Sequence, residues 1–164
     1  VSIAAEVLQE MVRELVEKDR IKTVLFDYAF YLDMNMTEEL ATLFTDDCVV
    51  SYGPGFGADG KDEYRRTLEG VGTYFAATSH HVSNVVVSFA DEDTAIVRSV
   101  LLAWHRYNRD RPDSHVMGQY HDVLVRTPDG WRFKSRELRH AGTIDYHTKP
   151  EHQTMIGRRG GQGA

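Results

Sequence analysis

Two stretches of this 164-residue chain carry side chains that could do acid–base chemistry. The first, Asp19 to Met34 (DRIKTVLFDYAFYLDM), has a helical pattern and contains Tyr28 and Asp33. The second, from Thr78 (TSHHVSNVVVSF), has a strand pattern and contains His80 and His81. A carboxylate that orients an imidazole, and an imidazole that takes up a proton, make a general-base pair when both enter one apolar pocket. Consecutive strand residues face opposite sides, so only one of His80 and His81 can enter it, and alternation with Asn84 and Val86 does not decide which. On a helical wheel Asp33 lies about 20° from Phe26 and about 40° from Ala29, which places the acid on an apolar stripe. Burial and the negative end of the helix are both expected to raise its pKa. The bland alternative is an acid that turns outward at a helix end.

The elements that must position these groups are legible as patterns. Ser2 to Lys18 has Val7, Leu8, Met11, Val12, Leu15 and Val16 at helical spacing, an amphipathic helix that must bury one face against the domain or a neighbouring subunit. Asp19 reads as the N-cap of a second helix, whose Ile21, Val24, Leu25, Tyr28 and Leu32 form its apolar stripe. Thr37 opens a third, with Leu40, Leu43 and Phe44 as its buried face. Cys48 to Tyr52 suits a short strand, and Gly53 to Gly60 a turn or pocket rim; the glycines there lack the following lysine and serine or threonine of a phosphate loop. Lys61 to Ala76 returns to helix. Ser79–Phe89, Thr94–Tyr107, Val116–Thr127 and Trp131–His140 are four long strands whose short connections predict an antiparallel meander. Helices followed by such a sheet predict an α+β domain with the sheet wrapped around helical apolar faces.

Composition sets the outer bounds. The length fits one domain, assigned here to residues 1–150, with a flexible Gly-rich tail over 151–164. A net charge of −6 gives no basic footprint for nucleic acid. A single cysteine, Cys48, rules out an internal disulfide and a cysteine metal cage. No apolar run reaches the roughly 20 residues that span a bilayer, so the expectation is a cytoplasmic protein with no membrane partner, although the first residue is Val1 and not Met. Eight histidines raise a metal reading built from His80, His105, His121 and Asp33, but no HxH or HExxH spacing supports it, and no metal is expected.

The order of elements, the helix ending Tyr31-Leu32-Asp33, the segment LFTDDCVVSY, the strand start Thr78-Ser79-His80 and the closing DGWRF resemble the SnoaL-like branch of the nuclear-transport-factor-2-like superfamily over roughly residues 10 to 145. The characterised members it most resembles are scytalone dehydratase, bile acid 7α-dehydratase and hexachlorocyclohexane dehydrochlorinase. The resemblance implies a cone-shaped α+β fold, N-terminal helices on a strongly curved, mainly antiparallel sheet enclosing a pocket, and a homodimer or homotrimer. It also implies an Asp–His dyad at Asp33 and His80. By the same likeness Tyr28, Tyr52 and a second pocket histidine, His105, join the site, with Arg136 in the last strand. Gln119 and His121 stand where scytalone dehydratase has serine and asparagine, which leaves the substrate open.

The implied chemistry is a cofactor-free, dehydratase-like elimination. His80, held by Asp33, takes a proton from carbon while donors such as Tyr28, Tyr52 or His105 stabilise the developing charge. Tyr52, Phe56, Trp104, Gln119, His121 and Arg136 are expected to contact substrate, and Phe26, Phe30, Tyr74 and Phe75 to add aromatic lining, which suits a hydrophobic small molecule. Two other classes share these residues. One is a polyketide-cyclase-like enzyme or ketosteroid-type isomerase. The other is a non-catalytic binding or assembly module like the small subunit of a ring-hydroxylating dioxygenase.

Overall fold

The structure, a computed structural model, describes residues 4–157. Helix α1 runs unbroken over Ala5–Asp33, so the two helices expected on either side of Asp19 are one. Nothing between Leu15 and Ile21 can stop a helix. There is no glycine or proline, and the junction is crossed by pairs at helical spacing, Lys18 with Glu14 at 2.5 Å and Arg20 with Glu17 at 2.7 Å. Asp19 is therefore an interior residue, its carbonyl accepting the Thr23 hydroxyl, and not a cap. The half of α1 from Ile21 on buries Ile21, Val24, Leu25 and Tyr28. The other half leaves Val7, Leu8, Met11, Val12, Leu15 and Val16 between 44% and 64% exposed. Glu17 fastens the midpoint, accepting Trp131 Nε1–H and Arg126 Nη1–H at 2.8 Å each.

After α2 (Thr37–Thr42) the chain forms β1 (Phe44–Gly53) and β2 (Phe56–Asp59), then α3 (Lys61–Tyr74). The glycine-rich segment thus holds a hairpin strand as well as a turn. Strands β3 (Phe75–Phe89), β4 (Thr94–Tyr107), β5 (Ser114–Thr127) and β6 (Gly130–Ile144) form the expected antiparallel meander. The six strands make one curved, unclosed mixed sheet in the order β2-β1-β6-β5-β4-β3, with β1 parallel to β6. This is an α+β architecture in which three helices fill the concave face of the sheet.

Alternation along the strands fixes what faces inward. On β4 the buried set is Ala95, Val97, Ser99, Leu101, Ala103, His105 and Tyr107, and on β5 it includes Ser114, Val116, Tyr120, Asp122 and Leu124. On β3 the phase changes midway. The register slips between Ser83 and Val86, where Asn84 takes φ 49°, so Thr78, His80 and Val82 point inward before the bulge and Val85, Val87 and Phe89 after it.

The segment after β6 is tied down further than the sequence suggests. Residues Pro150–His152 form a 3₁₀ turn, Gln153 is buried, and His140 exchanges backbone hydrogen bonds with Thr154 and Ile156. Residues 151–157, assigned from the sequence to a flexible tail, include the groups that make these contacts; residues 158–164 lie outside the described part of the chain. Gly53 shows how closely this strap lies on β1, because a Cβ added there would fall 2.3 Å from the His152 carbonyl oxygen.

Candidate active site

Helix α1 ends on Asp33 beside β3, and three donors converge on its carboxylate. His80 Nδ1 lies 2.6 Å from Oδ1, the Thr78 hydroxyl donates to Oδ1 at 2.8 Å, and the His80 backbone N–H donates to Oδ2 at 2.8 Å. Burial pushes the Asp33 carboxyl up, but the His80 ring, the His80 backbone N–H and the Thr78 hydroxyl together outweigh it and hold the group below its ordinary value. The rise expected from the sequence is thus reversed. The wheel argument failed because Phe26, its apolar reference, is exposed and Asp33 is only half-buried. A carboxylate only accepts, so the neutral form of the His80 ring has its proton on Nδ1 and a lone pair on Nε2.

The His80 ring forms part of the wall of a cavity of about 370 Å³ between α1, α3 and the concave sheet. His105, on β4, faces the same space, its ring 5.3 Å from that of His80. Burial, reinforced by the neighbouring His80 and His147, pushes His105 down to about 3, so it is a neutral ring there, and its Nδ1 is buried without a partner. Elsewhere on the cavity wall the hydroxyls of Tyr28 and Tyr52 lie 2.7 Å apart, and the Tyr64 hydroxyl, not itself a wall group, lies 2.6 Å from that of Tyr52. Burial raises Tyr52, Tyr64 and Tyr120 well above the usual phenol value, which keeps these groups protonated. Phe56, Tyr74 and Phe75 complete an aromatic wall, and Tyr146 and His147, from the segment after β6, close the side near His105.

The structure therefore brings together Asp33, His80, Tyr28, His105, Tyr52 and Phe56. It separates others that the sequence placed with them. Trp104 adjoins His105 on a strand, so it faces the outside of the sheet, where Arg106 covers its ring. Gln119 and His121 flank the inward Tyr120 and likewise point outward, 3.2 Å from each other. The metal set that needed His121 thus does not assemble, and no group of three His, Cys, Asp or Glu side chains among the described residues is placed to hold a metal ion. Phe26 and Phe30 lie on the exposed side of α1. Arg136 faces inward but is not a wall residue. It sits in the core behind Tyr28 and Tyr120, in a bidentate pair with Asp122.

Thr78, Tyr64, Tyr120, Tyr146 and His147 were not singled out as site residues from the sequence. Strict alternation along β5 from Val116 would have chosen Tyr120 over its neighbours, and the parity of His80 selects Thr78. No local pattern marks Tyr146 and His147, which reach the cavity through the path of the strap.

A sequence profile of the SnoaL-like domain matches residues 13–137. The chain belongs to the SnoaL-like domain family. An uncharacterized protein of Mycobacterium tuberculosis, Rv2910c, is 32% identical to this SnoaL-like protein over 127 residues, 76% of this chain and 86% of the relative. A crystal structure from Novosphingobium aromaticivorans, provisionally named scytalone dehydratase, is 52% identical, with TM-score 0.84 over 88% of this chain and 96% of that one. The hexachlorocyclohexane dehydrochlorinase LinA-type3 of Novosphingobium barchaimii shares the fold at 15% identity, with TM-score 0.74 over 90% of this chain and 99% of that one. The fold is the cone of the nuclear-transport-factor-2-like superfamily.

Proposed function

We propose that this SnoaL-like protein is a cofactor-independent carbon–oxygen lyase that eliminates water from a hydrophobic small molecule. The observation that carries the reading is the 2.6 Å contact of Asp33 with His80 at the cavity wall, because it leaves one ring nitrogen basic and aimed by a fixed carboxylate. In the reaction His80 Nε2 takes a proton from carbon. The C–H electrons form the double bond, the C–O bond breaks, and the departing oxygen takes a proton from a neutral donor. Tyr28 and Tyr52 are the donors nearest in kind, and the neutral His105 helps seat the substrate. The provisional name of the Novosphingobium aromaticivorans relative points the same way.

Purified wild type, H80Q and D33N, screened against hydroxylated aromatic and alicyclic ketones by mass spectrometry, test the proposal. A product lighter by one water, formed by wild type and lost by about 10²- to 10⁴-fold in H80Q, is the expected result. A product of unchanged mass would move the assignment to an isomerase or cyclase. Turnover undiminished in H80Q would remove the dyad from the mechanism.

A homodimer or homotrimer belongs to the same proposal, supported by the apolar face that the first half of α1 leaves exposed. L8E/L15E should sediment as a smaller species than wild type if that face meets a second copy.

A further inference from the structure

The Arg136–Asp122 pair lies outside the cavity and the dyad does not use it. Both side chains are fully buried, and Asp122 accepts Nε–H at 2.9 Å and Nη2–H at 2.8 Å. Nη1 is buried with no hydrogen-bond partner. What surrounds the cation instead is aromatic: its guanidinium carbon lies 3.9 Å from the ring centroid of Tyr28, 4.0 Å from that of Tyr120 and 4.2 Å from that of Phe133. Burial opposes the charge on Arg136, and the Asp122 carboxylate more than offsets it and holds the guanidinium above its already high value. Burial pushes the Asp122 carboxyl up, against the arginine facing it.

An ion pair of this kind is poor value as a stabiliser. Taking both charges out of water costs several kcal/mol per ion, and apolar residues of like volume often serve a core as well or better. The place of the pair points to another use. Tyr28 and Tyr120 are also wall residues of the cavity, and Tyr28 is hydrogen-bonded to Tyr52. A cation on the face of a phenol ring draws electron density from it, which makes the O–H a stronger donor and favours negative charge on a ligand oxygen beyond it.

We propose that Arg136, held by Asp122, is a positioning residue that polarises Tyr28 and Tyr120 through their ring faces, so that the tyrosine end of the cavity prefers an oxyanion, phenolate or enolate, over the corresponding neutral hydroxyl. The inference rests on the proposed function in taking the tyrosine hydroxyls as donors to a ligand oxygen. Arg136 also acts on Tyr64 and Tyr120 against the effect of their burial, and at Tyr120 its effect exceeds the opposing one of Asp122.

The test needs no turnover. 4-Nitrophenol is titrated into the full-length protein, and the affinities of its phenol and phenolate forms are read separately from the visible absorbance across pH. Wild type should bind phenolate more tightly than phenol. R136M/D122L, which replaces the pair by apolar side chains, should still bind the neutral phenol and lose about tenfold in the phenolate-to-phenol ratio. R136Q/D122N, which keeps the hydrogen bonding and removes both charges, is the second variant and should lose the ratio likewise. An unchanged ratio in either folded variant, or no phenolate preference in wild type, overturns the proposal. If neither variant folds, the pair is a folding element and the proposal falls as well. Wild type that shows no lyase activity but an intact, Arg136-dependent ratio would sink the proposed function alone.

Discussion

Asp33 is held by three hydrogen bonds at 2.6 to 2.8 Å, and two of them come from the residue it orients. Its orientation is thus doubly fixed, through the ring and through the backbone of His80. D33N keeps the shape but offers an amide where only an acceptor fits, so activity should fall by orders of magnitude, as for other misassigned imidazole tautomers. T78V removes one neutral hydrogen bond and should cost about 1 kcal/mol in urea unfolding with a much smaller effect on turnover. Equal losses of turnover in T78V and D33N would contradict the division of labour drawn here. This dyad was legible in the sequence because a helix end marked the acid and the resemblance to the SnoaL-like family chose His80 over His81. The pKa direction of Asp33 was not, since it depends on the donors that β3 brings to it, and helix position says nothing of those.

At the scale of elements, the strands decided which sequence expectations survived. Trp104 and His105 were both placed in the pocket, although neighbours on an unbulged strand cannot share a face. The same rule separates Tyr120 from Gln119 and His121. On β3, by contrast, alternation could not choose between His80 and His81, because the bulge at Asn84 reverses the phase between Val82 and Val85 and nothing in the sequence announces a bulge there. Tests on β4 follow directly. W104A should bind pocket ligands as wild type does, whereas A103W should fill the cavity and abolish binding, both read by calorimetry with an aromatic ligand. The strap is a second element that sequence patterns missed, since its hydrogen bonds go to β6 and not to a periodic neighbour. G53A should displace it, because the added methyl group collides with the His152 backbone, and exchange of the His140 and Ile156 amides should quicken.

For the whole molecule, burial of neutral histidines sets the response to acid. Burial pushes His105 down to about 3 and His147 to about 4, and it lowers His140 as well. An unfolded chain protonates these rings near their ordinary value of 6.5, so between that pH and the folded values the unfolded state binds more protons and stability falls as pH falls. Asp33, depressed in the folded state, adds a loss in the same direction as pH drops through its folded value. Unfolding free energies from denaturant titrations at pH 7.5, 6, 5 and 4 should decline steadily, by a total on the order of a few kcal/mol. A profile flat across that window would mean the rings are wetter than they look. Among the described residues no helix is long and apolar enough to cross a membrane, and the longest helix instead carries an exposed apolar half.

Tyr28, Tyr52 and Tyr64 own three hydroxyl hydrogens and share two contacts, so one hydrogen is always left over. Tyr64, unlike Tyr28 and Tyr52, is not a wall residue of the cavity, so its hydrogen is best used on Tyr52 and the spare one stays with the two wall oxygens, where a ligand can accept it. Tyr64 therefore works like the fixed end of a zip, keeping a free donor at the wall. With phenylalanine at 64 one hydrogen would still be spare there, but the Tyr52 oxygen would lose the bond it accepts, and its O–H would become a weaker donor to a ligand.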